Sequence, residues 1–101
     1  MLKDDIMKVA TRVHGKTRMF PEETILSLRI LAENSEQKAQ KDMHDQNFDS
    51  ARRRYHLAVL FLDKAVKLSS VPEITEDIIK AKDSAMRNEY IMSIAIMMRR
   101  E

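Results

Sequence analysis

The stretch Lys38–Leu68, KAQKDMHDQNFDSARRRYHLAVLFLDKAVKL, holds the end of one helix, a polar turn and a second helix. In the second helix Phe48, Ala51, Tyr55, Ala58, Leu62 and Ala65 recur by three and four, the spacing of one helical face. Alanines on that face admit a neighbouring helix at close range, and the aromatics fill the space between. The expectation is a helical hairpin whose second arm is central to a bundle.

Composition points the same way. The chain has 101 residues, enough for one small domain. One Gly and two Pro leave little material for β-turns, and aromatics make up only 5%. Charged residues make up 34%, which suits a helical bundle better than a sandwich or barrel. Cysteine is absent, so there is neither a disulfide framework nor thiolate chemistry, which suits a cytoplasmic location. A net charge of +2 is too small to argue for nucleic acid. Eight Met are many for this length, and methionine serves irregular cores and adaptable binding surfaces alike.

Upstream of the hairpin, residues 1–20 read as a basic arm. Lys3, Lys8, Arg12, Lys16 and Arg18 outnumber Asp4 and Asp5. Leu2, Ile6, Val9 and Val13 fall at helical spacing, so residues 3–14 are expected to form a short amphipathic helix ended by Gly15. Peripheral membrane contact through residues 2–18 is one use for it, although the stripe lacks Trp and Phe. Pro21 suits the first position of the next helix, with Glu22 and Glu23 in its first turn. That helix is expected to run to about His44 on the stripe Ile25, Leu28, Ala32, Ser35, Ala39 and Met43, its polar second half touching the bundle along a narrow seam.

Asn47 is the expected N-cap of the central helix, which runs to about Leu68. Ser70 and Glu73 form an S-x-x-E capping box for a last helix. There Ile78, Ala81, Ala85, Met92 and Ala95 suit one face, while Ile79, Met86, Tyr90, Ile94 and Met97 suit its neighbour. The segment 90–98, YIMSIAIMM, is apolar except for Ser93, and a helix apolar nearly all round is buried or bound to something. The fold expectation is therefore all-α: an antiparallel three-helix bundle over residues 21–101 with an additional short N-terminal helix.

Catalysis has no positive support in the sequence. His14, His44 and His56 lie outside any metal-ligand spacing, no serine sits in a nucleophile elbow, and no phosphate-binding glycine loop occurs, so no cofactor is expected. Arg52, Arg53 and Arg54 stand near a helix N-terminus, where the macrodipole opposes them. Either they form a solvated face, paired with Asp49 or with an acid of a neighbouring helix, or they form a basic rim for an acidic peptide or an anionic lipid surface. Leu57, Leu60, Phe61 and Leu68 make a second apolar line beside the core stripe, which is either buried by a second neighbour or left open as the wall of a groove.

The pattern N-F-D-x-A-x-x-x-Y-x-x-A-V-x-x-L-x-x-A-V-K over residues 47–67 resembles the helix-turn-helix of MIT domains, the three-helix adaptors of membrane-trafficking proteins. The likeness is specific over Lys38–Leu68. In the last helix Glu89, Tyr90 and Ile91 match, whereas Met92-Ser93-Ile94-Ala95 departs from the family pattern. A single tetratricopeptide unit fits less well, because the helix continues through Phe61, Leu62, Ala65 and Val66. The resemblance implies a non-catalytic adaptor at endosomal or autophagic membranes. It would bind short helical motifs, such as ESCRT-III tails or components of autophagy complexes, between helices. On this chain the expected groove has Arg53, Arg54, Leu57, Phe61 and Lys64 on one wall and Met86, Tyr90 and Ile94 on the other. The alternative is a structural protein that self-associates through the apolar strip of its last helix.

Overall fold

In a computed structural model, which describes residues 21–100, the chain forms three α-helices. They are α1 (Pro21–His44), α2 (Phe48–Leu68) and α3 (Pro72–Arg100). The additional helix expected over residues 3–14 lies outside the described residues. The connections are short, so successive helices run antiparallel. Helix α2 packs along both neighbours, and α1 and α3 barely meet each other. The central position expected for α2 is thus observed.

The reason lies in the stripe of α2. Ala51, Tyr55, Ala58, Leu62 and Ala65 are its buried residues, and the three alanines are wholly inaccessible. A methyl side chain every seventh residue keeps the centre of α2 narrow, so two helices can close on it from different sides. One core cluster joins Ile25, Leu28 and Ala32 of α1 to Ala58, Leu62 and Ala65 of α2 and to Ile78 and Ala85 of α3. A second, at the opposite end, consists of Ala39, Ala51, Tyr55 and Met92, with Phe48 packed against it. Between them Ser35, a buried polar residue, donates from its hydroxyl to the Arg54 carbonyl at 2.7 Å. Met43, expected on the α1 stripe, is exposed, and Leu31 takes a buried place instead.

The α1–α2 turn is closed by backbone bonds. Gln46 sits at φ 65°, in the left-handed region that usually favours glycine. The Gln46 N–H donates to the Met43 carbonyl at 3.0 Å and the Asn47 N–H to the Asp42 carbonyl at 2.7 Å, the paired bonds of a Schellman motif. This geometry changes the role of Asn47. It precedes α2 as expected, but at ψ 71° its side chain makes no capping bond. The capping box expected from Ser70 and Glu73 does not form either. Pro72 is the first residue of α3, which shifts the cap to Val71, whose carbonyl accepts from the Thr75 N–H at 2.9 Å. The Thr75 hydroxyl donates to Ser69 Oγ at 2.6 Å and holds the α2–α3 turn.

Candidate functional site

Side-chain pairs show which flank of α2 each neighbour covers. Asp42 of α1 accepts from the Ser50 hydroxyl and from Arg54 Nε, both at 2.7 Å. On α3, Lys82 Nζ donates to Asp63 at 2.9 Å, and Glu89 lies 3.2 Å from His56 Nδ1. A helix turns 100° per residue, so Ser50, Arg54, Leu57, Phe61 and Lys64 follow one line, on the side that Ser50 and Arg54 turn toward α1. His56, Leu60 and Asp63 follow another, toward α3.

The eight expected groove residues are therefore placed on three separate surfaces: the α1 side of α2, a cleft at the start of α2, and α3. Arg54 is held by Asp42 of α1, an acid on a neighbouring helix and one of the alternatives that the sequence leaves open, and so is not a free basic rim. Leu57 and Phe61 are half-buried on the α1 side, with Phe61 packed against the core. Lys64 is exposed on the same line. Arg53 is exposed and lines a cleft of about 450 Å3 with Gln46, Asn47, Phe48, Asp49, Ser50, Ile96 and Arg99. Arg99 is already engaged there: its Nη1 donates to the Gln46 carbonyl at 2.7 Å, and its guanidinium lies 5.7 Å from the Phe48 ring centre.

Met86, Tyr90 and Ile94 do lie together, on the outer face of α3. Met97 extends the strip, and Ile79 lies on the same line beyond the exposed Asp83, a span of about 27 Å at 1.5 Å per residue. All five are exposed, Tyr90 to 67% and Met97 to 68%. The core of α3 is carried by Ile78, Ala85 and Met92, so of the two apolar faces expected, the first faces the core and the second is exposed. Met86 stands between Lys82 and Glu89, and Leu60 of α2 between His56 and Asp63. The His56–Glu89 and Asp63–Lys82 pairs therefore bracket Leu60 and Met86, which are 51% and 48% exposed. Leu60 is the residue that completes this surface and that the expected groove left out. The sequence shows Leu60 four residues after His56 and three before Asp63, but that both pair with α3 is visible only in the fold.

The charged pairs give stability a definite pH dependence. The hydroxyl of Ser50 first, and then Arg54, hold the Asp42 carboxyl below its ordinary range. Lys82 first, and then Lys67, do the same for Asp63. Burial, followed by repulsion from Glu33, raises Glu36. Depressed carboxyls stabilise the fold above their unfolded pKa, and that contribution is lost as pH falls through the folded value. A raised carboxyl works in the opposite sense and favours the fold at lower pH. The contributions of Asp42 and Asp63 are therefore lost as pH drops below about 4, near the ordinary aspartate value. Urea midpoints measured between pH 7 and 3 check this. Asp42→Asn should flatten the acid limb, and an unchanged pH profile in that variant would contradict the assignment.

Among the described residues, no three His, Cys, Asp or Glu side chains group as metal ligands do, and no helix is long and apolar enough to cross a membrane. Comparison with known proteins gave no match: no family model fits the chain, and neither a curated protein nor a solved structure is significantly similar to it.

Proposed function

We propose that the chain is a non-catalytic interaction module that docks a short helical motif on the α2–α3 face. The observation that carries this reading is the strip of Ile79, Met86, Tyr90, Ile94 and Met97, exposed on a helix whose opposite side is core. Contiguous exposed apolar surface rimmed by charge marks a partner site. Leu60 and Met86 supply the floor, Tyr90 and Ile94 the outer anchors. The pairs His56–Glu89 and Asp63–Lys82 set the register of an incoming helix. Methionine suits such a surface, since its flexible side chain adapts to different partners.

The resemblance of Lys38–Leu68 to MIT domains supports a partner class: tails of ESCRT-III subunits or components of autophagy complexes, met at endosomal or autophagic membranes. Relative to the groove expected from the sequence, the anchors on α3 stay the same and the wall on α2 becomes Leu60. Titration of the chain with labelled peptides of both kinds tests the proposal. Saturable binding by at least one is expected, and no binding by any of them contradicts it.

A further inference from the structure

The last turns of α3 carry more exposed apolar surface than a docked motif uses. Five of the thirteen exposed large hydrophobic side chains among the described residues crowd into residues 90–98: Tyr90, Ile91, Ile94, Met97 and Met98. Ile91 and Met98 are not among the motif anchors, yet they are 47% and 70% exposed. At 100° per residue the five fill an arc of about 120° centred on Ile94. The centre of that arc lies opposite Ile78, Ala85 and Met92, the residues that α3 turns to the core. The face therefore points away from α2 and stays uncovered.

We infer that α3 pairs antiparallel with α3 of a second copy of this chain, about a two-fold axis at Ile94. The first reason is symmetry. The five positions stand three and four residues to either side of Ile94, so the face is complementary to itself. The axis brings Tyr90 and Ile91 level with Met98 and Met97 of the second copy, and Ile94 meets its own counterpart. The second reason is charge. A two-fold axis sets like beside like, which penalises charged side chains near it, and residues 90–98 contain none. The third is size. Five side chains of this kind, doubled by the symmetry, remove roughly 1,000 Å2 from water, the area at which specific but weak association begins. Tyr90 and Ile94 are also outer anchors of the docked motif, so pairing and docking exclude each other. That consequence rests on the motif reading, whereas the pairing itself does not. The dimer covers the face while no motif is bound, and a bound motif releases the monomer by mass action.

Sedimentation equilibrium of the full chain over about 10 μM to 1 mM tests the pairing. The average mass is expected to climb toward twice that of the monomer. Ile91→Asp and Met98→Asp each enter the dimer twice and should hold the chain monomeric over the same range, with helicity by circular dichroism showing that both variants are folded. A parent chain that stays monomeric throughout overturns the inference, and so does a dimer that both variants retain. The chain has no cysteine, so the axis can be read by cross-linking. Ile94→Cys and Met43→Cys replace side chains that are both 39% exposed, the second on α1 and away from the face. Copper phenanthroline takes two electrons from a thiol pair, which loses two protons as the disulfide forms. Ile94→Cys should cross-link at least roughly tenfold faster than Met43→Cys, because the pairing holds its two thiols together. Equal rates overturn the two-fold axis. If no tail peptide binds, the motif reading fails, and the sedimentation and cross-linking results still decide the pairing.

Discussion

Tyr55→Ala is expected to remove about 3–5 kcal/mol of stability, the range for truncating a buried aromatic. Tyr55 and Ile78 are the largest fully buried side chains, and the neighbours of Tyr55 in its cluster are Ala39, Ala51, Met92 and Phe48. Two of these are alanines, which have no rotamers with which to close a cavity. The void therefore persists, and its cost lies at the upper end of the range. A domain of this size has roughly 4–12 kcal/mol in total, at 0.05–0.15 kcal/mol per residue. The variant should accordingly unfold at a much lower urea concentration, and part of it should be unfolded at 37 °C. Tyr55→Phe keeps the ring and should lie within about 1 kcal/mol of the parent. An alanine variant as stable as the parent would show that the second core cluster is not packed as described.

Met86→Asp and Tyr90→Asp are expected to leave the fold intact and to weaken motif binding by about 30-fold or more each. Both side chains are exposed, so the monomer loses little packing. In a complex they become central and desolvated, and a hot-spot residue contributes about 2 kcal/mol or more, which is a factor of roughly 30 in Kd. A carboxylate buried against an apolar helix adds a desolvation cost. Leu57→Asp tests the wall that the sequence suggested. Leu57 is half-buried on the α1 side of α2, so this substitution should lower stability while affecting binding far less than Met86→Asp. Unfolding and titration of the same three proteins separate the two effects.

The helices were legible in the sequence because their signals are local. Pro21, the steps of three and four residues along the stripe from Ala51 to Ala65 and the break at Ser69–Val71 are signals between near neighbours in the chain. The buried stripe of α2 followed from periodicity alone; in α3 periodicity gave two apolar faces without saying which of them is core. The turns were harder to read. The side chain of Asn47 is a good cap in principle, but the left-handed Gln46 before it sets the backbone so that main-chain bonds close the turn. The groove was the least legible part. Periodicity separates the lines of a helix but does not say which neighbour covers each line. Leu57–Phe61 and Leu60 are equivalent candidates until Asp42 is seen to hold Arg54 on one flank and Glu89 to meet His56 on the other.

The most direct test of the account is a backbone amide footprint of the 15N-labelled chain during titration with a helical tail peptide. The account predicts that the largest shifts fall on Leu60, Met86, Tyr90 and Ile94, with smaller ones on His56 and Lys82. Shifts centred on Leu57, Phe61 and the α1 side, with the α3 strip unmoved, would contradict it.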